Sequence, residues 1–134
     1  MSRNGAARGL VGAAGIILLG TAAMHATGYR PLVEQLGSSS LQPAWLAGVK
    51  GLWLVFSLHL AILGILFLAA AVRPGLAGKG ILAIAGLIPA GDTVMLLAFV
   101  GVFPGSVLLG LAALLIFTGV ALRQAAGEGT GPKG

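Results

Sequence analysis

The chain of 134 residues contains no cysteine. Disulfide staples, thiolate nucleophiles, iron–sulfur clusters and cysteine-ligated zinc sites are therefore excluded together. Charge is scarce as well: Asp, Glu, Lys and Arg make up 8% of the residues, where a soluble domain carries about a quarter. Acids are rarest, with Glu34, Asp92 and Glu128 the three in the chain. So little charge excludes a solvated disordered chain and, despite a net charge of +5, a nucleic-acid partner. What remains is apolar: 57% hydrophobic residues, 23 glycines and a mean hydropathy of +1.04. The composition excludes a water-soluble domain and names the lipid bilayer as its surroundings.

Residues 9–29 hold no formal charge over 21 positions, about 31 Å of helix and enough to cross a bilayer. Arg30 and Pro31 end that segment, and the turn-forming residues up to Ala44 predict an exposed outer loop over 30–44. Residues 45–72 are apolar apart from Lys50, Ser57 and His59, and Arg73-Pro74-Gly75 stops them. A further apolar run, 80–122, is too long for one helix; Val102-Phe103-Pro104-Gly105-Ser106 divides it into spans of about 80–102 and 106–122. The glycine-rich tail 127–134 reads as disordered. The predicted fold is thus all-α, an integral membrane bundle of four transmembrane helices in a single domain. Arg3, Arg8, Arg73, Lys79, Arg123 and Lys133 fall on one side, and Arg30 and Lys50 on the other. This asymmetry places both termini in the cytoplasm of a multi-pass cell-membrane protein. A cleaved signal peptide over residues 1–26 is the alternative, against which the apolar segment is long.

Gly12, Gly15, Gly20, Gly64, Gly86, Gly91, Gly110 and Gly119 lie inside the spans. In lipid, small residues let helix backbones approach closely, which predicts a tight bundle and leaves faces for contacts in a homo-oligomer.

Ionisable residues inside spans are costly and mark functional sites by default. Here they are His25, Lys50, His59 and Asp92. Counting from each outer end puts His25 and Lys50 within roughly 8 Å of the outer surface, and His59 and Asp92 roughly 15–21 Å deep. His59 and Asp92 are therefore expected to meet as an acid/base pair, the predicted catalytic residues of the chain. Pro89, one turn before Asp92, is expected to kink its helix and free the carbonyl of Ala85 to line a polar cavity. Thr21 and His25 share a stripe on the first span, and Trp53 and Ser57 share one with Lys50 on the second. Thr21, His25, Trp53 and Ser57 are the predicted substrate-binding residues, while Lys50 snorkels to the outer headgroups. The depth count separates His25 from His59 by roughly 15 Å, which argues against bis-histidine haem or a shared metal ion. A single axial haem ligand, with His59 best placed, is the cofactor reading left open. Ser57 and His59, two apart on one helix, cannot form a dyad.

The pattern Gly20-x-x-x-x-His25, Trp53 to His59, and Pro89-x-Gly91-Asp92 resembles small bacterial four-helix integral membrane proteins of unknown function, those described as DoxX-like. The layout is also similar to the four-helix membrane epoxide isomerases, which have a tryptophan and a histidine in the second span and an aspartate in the third. That resemblance implies a bundle able to host chemistry on a lipophilic substrate and assigns no catalytic residue here. Two functional classes follow. In one, an intramembrane pocket binds a small lipophilic molecule and acts on it by acid/base chemistry of isomerase, hydratase or cyclase type. In the other, a membrane subunit, transporter component or binding protein uses His59 and Asp92 as a helix clamp or proton relay.

Overall fold

A computed structural model describes residues 2–128. The chain is all-helical: α1 (Arg3–Thr27), α2 (Tyr29–Gly37), α3 (Pro43–Val72), α4 (Lys79–Phe99) and α5 (Pro104–Glu128). The side chain of Ser2 accepts from the Gly5 N–H and caps the start of α1. Pro43 opens α3 at a position where a missing N–H costs nothing. The α4–α5 turn passes through Gly101 at φ +94°, a conformation few side chains tolerate. The buried Ser106 hydroxyl closes that turn, accepting from the Phe103 N–H and donating to the Phe103 carbonyl.

Four helices are long and apolar enough to cross a membrane: α1 with α2, α3, α4, and α5 to Arg123. Their outward faces are as apolar as their inward ones. Leu52, Leu58, Ile62 and Ile65 on α3 and Ile81, Ile84 and Leu87 on α4 are all more than half exposed. A water-soluble bundle puts polar residues on that face; these helices present hydrocarbon.

The helices follow one another antiparallel, but not every sequential pair packs. Extended seams join α1 to α3, α1 to α5, and α4 to α5; among the described residues α3 and α4 share none. The spatial order is therefore α3, α1, α5, α4, with α1 as the hub. Its buried residues Ala7, Val11, Ala14, Leu18 and Ala22 belong to a core completed by Leu60, Phe67, Leu82, Leu109 and Ile116. A cleavage after residue 26 would remove the one helix on which α3 has an extended seam. The α1–α3 seam is closest at Gly15 and Gly64, where a side chain on either glycine would strike the other's carbonyl oxygen at 2.8–2.9 Å. Gly12, Gly86, Gly110 and Gly119 also sit against neighbours, whereas Gly20 and Gly91 face open space.

Three expectations need correction. The outer segment 30–44 is not loop throughout, because α2 occupies residues 29–37. Leu32, Val33 and Leu36 are partly buried while Arg30, Glu34 and Gln35 point outward, and an exposed Arg30–Glu34 pair at 3.1 Å links successive turns. Amphipathic spacing over nine residues was outweighed in the sequence by the breakers that flank it. The tail begins later than residue 127, which with Glu128 still belongs to α5; residues 129–134 lie outside the described residues. Pro89 is accommodated within a single α4, where the Thr93 hydroxyl donates to the Pro89 carbonyl at 2.7 Å. Ala85 and Pro89 are buried in the core and line neither cavity described below, so the carbonyl freed by the proline does not contribute to the site.

Candidate functional site

The register of α1 against α3 determines which polar residues meet. Gly15 lies opposite Gly64, His25 opposite Ser57 and Gly28 opposite Trp53. At 30 residues α3 is about 45 Å long, and its first turns overhang the end of α1. His25 therefore sits level with the middle of α3, not at its outer rim. The roughly 15 Å separation expected between His25 and His59 is wrong for that reason, because counting inward assumed level ends. Both imidazoles pack on one ring: His25 lies 4.8 Å from Phe56 at a tilt of 51°, and His59 meets Phe56 edge-on at 4.8 Å.

His25 is held on three sides. Its ring stacks on Trp53 with centroids 4.0 Å apart and planes 20° from parallel. The Trp53 Nε1–H donates to the His25 carbonyl at 2.8 Å, satisfying an oxygen at the helix end. The absent side chain of Gly28 makes room for that indole, since a Cβ there would stand 2.7 Å from the Trp53 ring. His25 Nδ1 is 2.9 Å from the Ser57 hydroxyl, and that hydroxyl lies 3.2 Å from the Trp53 carbonyl oxygen. Nδ1 and the hydroxyl share one hydrogen bond whose direction follows the tautomer of the imidazole. Nε2 has no partner among the described residues.

Beside His25 lies a cavity of about 400 Å³. Thr21, Met24 and His25 of α1, Trp53 and Phe56 of α3, Leu96 of α4 and Leu109 of α5 line it, and Val100, Phe103 and Gly105 close the end at the α4–α5 turn. The Thr21 hydroxyl donates to the Ile17 carbonyl at 2.8 Å, so the imidazole edge is the free polar group of an otherwise apolar and aromatic wall.

His59, packed against Phe56, meets Asp92 with Nε2 and Oδ2 2.9 Å apart. They bridge α3 and α4 where those helices lack an extended seam. A recess of about 300 Å³ opens beside them between Ile62, Leu63 and Ile88. The side chains keep 31% and 22% of their surface exposed, so the pair is reachable from the surface of the bundle and is not sealed in the core. A double-mutant cycle of His59→Leu and Asp92→Leu is expected to return a coupling of about 0.6–2 kcal/mol, the range of interhelical hydrogen bonds in membranes. Reversible unfolding in mixed micelles measures it, and a coupling of zero would show that the pair does not tie the helices.

The structure thus places Thr21, His25 and Trp53 at the cavity and joins His59 to Asp92 between α3 and α4; Ser57 reaches the group only through its bond to His25 and lines a separate groove between α1 and α3. Lys50 touches neither cavity. Phe56, Leu96, Phe103 and Leu109 were not singled out from the sequence; as apolar residues in apolar spans they carry no local signal. Among the described residues no three His, Asp or Glu side chains converge as a metal site would require. No family model, curated protein or solved structure matches the chain.

Proposed function

We propose that the chain is a multi-pass cell-membrane protein, both termini cytoplasmic, that holds a small lipophilic molecule bearing a hydroxyl or another hydrogen-bonding group in the cavity beside His25. One observation carries this reading: the His25 imidazole, with Nε2 unpartnered among the described residues, is the ionisable side chain lining an apolar and aromatic cavity of about 400 Å³. That volume lies within the range of about 300–1,000 Å³ typical of small-molecule sites, and one placed polar group in an apolar wall is their usual construction. The stacked Trp53 and the Ser57 hydroxyl hold the imidazole in orientation, so Nε2 is preorganised.

A second reading, an enzyme of isomerase, hydratase or cyclase type working through Asp92 and His59, is favoured by the position of Phe56. This residue walls the cavity and touches His59, which leaves an acid/base pair one ring away from the bound molecule. The similarity of layout to membrane epoxide isomerases supports the same class. Asp92→Asn separates the two: an enzyme binds its substrate and fails to turn it over, whereas a clamp leaves both binding and chemical state of the ligand unchanged.

Native mass spectrometry of the protein released from mild detergent tests the binding reading. Wild type is expected to carry a small-molecule adduct. His25→Ala is expected to weaken its retention by about 10–100-fold, the equivalent of one buried hydrogen bond at 1–3 kcal/mol. Equal occupancy in His25→Ala and wild type would refute the assigned contact.

A further inference from the structure

At the end of the bundle where α1 begins and α5 finishes, positive charge gathers without a described counter-charge. Arg8 on α1 donates from Nε to the Ala71 carbonyl at 2.8 Å and from Nη2 to the Val72 carbonyl at 3.3 Å. Arg123 on α5 donates from Nη2 to the Ala70 carbonyl at 3.3 Å. Three consecutive carbonyls at the C-terminus of α3 thus draw two guanidinium groups from different helices to one spot. Capping the negative end of the α3 dipole accounts for their inner edges. It does not account for the rest, because a guanidinium has five N–H donors and most of these have no partner among the described residues. The two arginines face a recess of about 300 Å³ whose other walls are Asn4 and Pro74. Among the described residues the ion pairs are Arg30–Glu34 and His59–Asp92, and neither is at this end. Two like charges held side by side repel, and an anion placed between them removes that cost.

We propose that this recess is a binding site for a phosphate oxyanion, supplied by the headgroup of an anionic lipid in the leaflet on the side of the termini. Planar guanidinium forks match phosphate oxygens two at a time, and a basic pocket between membrane helices on the cytoplasmic side sits at the depth of lipid phosphates. The proposal rests on the membrane reading above, which sets this end of the bundle at headgroup level. The α3 carbonyls form the floor, the guanidinium groups the middle layer and the phosphate the outer layer, so the lipid completes a stack of alternating charge.

The test uses the full chain in nanodiscs of phosphatidylcholine alone or mixed with phosphatidylglycerol, compared with detergent micelles containing inorganic phosphate. Lipid retention is read by native mass spectrometry and thermal stability by circular dichroism. Wild type is expected to retain one phosphatidylglycerol through delipidation and to unfold at a higher temperature in discs that contain it. Arg8→Gln and Arg123→Gln are each expected to reduce that retention about tenfold and to abolish the lipid-dependent rise in melting temperature. Reading the difference between lipids within each variant separates the lipid effect from the loss of a helix cap. Lys79→Gln, at the same end but outside the recess, is expected to behave as wild type. Equal losses in Arg8→Gln, Arg123→Gln and Lys79→Gln would overturn the site in favour of a diffuse field. Stabilisation by inorganic phosphate alone, with no retained lipid, would uphold the oxyanion site and overturn the lipid as its source. Failure of wild type to enter discs of any composition would overturn the membrane reading itself, whereas entry without preferential retention overturns this proposal alone.

Discussion

Gly15→Leu is expected to lower the thermal midpoint of the bundle further than any substitution in the cavity or at the helix ends, or to prevent assembly outright. A Cβ at position 15 would stand 2.8 Å from the Gly64 carbonyl oxygen and 2.9 Å from the Leu68 backbone nitrogen. Both are backbone atoms and cannot swing aside, so α1 and α3 must separate. In lipid no hydrophobic force presses them back together, because acyl chains are as apolar as the side chains exposed. Overpacking a well-filled interior costs about 1–3 kcal/mol, and a clash with backbone at the hub of the fold belongs at or beyond the upper end. Gly64→Leu is expected to match it, since a Cβ there meets the Leu19 side chain at 2.7 Å and the Gly15 carbonyl at 2.9 Å. Gly20→Leu is the control: the same helix and the same added volume, with nothing within 4 Å of the new Cβ. Thermal unfolding followed by circular dichroism in detergent ranks the three, and equal midpoints for Gly15→Leu and Gly20→Leu would show that the α1–α3 contact is not the tight one described.

The second large effect should move stability and binding in opposite directions. Thr21 and Leu96 face the cavity from α1 and α4, and replacing both with phenylalanine puts two rings into it. Filling apolar space restores dispersion contacts that an empty wall forfeits, so the double variant is expected to melt at or above the wild-type temperature. The Thr21 hydroxyl bonds only within its own helix, and its removal costs little. Ligand retention is expected to fall by more than about 100-fold, because the volume that a small molecule occupies is gone. A variant that is destabilised and still binds would place the ligand elsewhere.

Much of this architecture is legible in the sequence because membrane spans are set by composition and length. Four helices apolar enough to span, the division at Pro104 and the meeting of His59 with Asp92 follow from counting residues and charges, whereas α4 ends at Phe99, short of the expected residue 102. What was hidden depends on relative placement. His25 looked shallow because α3 overhangs α1, and no local pattern reveals how far one helix slides past another. For the same reason its pairing with Ser57 was invisible, although each residue had been singled out by itself. The helix order was hidden too: α3 and α4 are joined by a short connection yet lack an extended seam, since the glycines that allow close approach direct α3 onto α1 and α4 onto α5. Arg8 and Arg123 counted only as topology signals until the structure placed both at the end of α3.

The proposed ligand, a lipophilic molecule with a polar head, would occupy the cavity between Trp53 and Leu96. The chain has two tryptophans, and Trp45 is 67% exposed near the start of α3. In a Trp45→Phe background the fluorescence therefore reports on Trp53, which walls the cavity and stacks on His25. Titration with a brominated medium-chain alcohol in detergent is the most direct measurement, because bromine quenches only at close contact. Saturable quenching is expected, and it is expected to be lost when Thr21 and Leu96 are both phenylalanine. Quenching that rises linearly with alcohol concentration and is the same with the cavity open or filled would contradict the proposed occupancy.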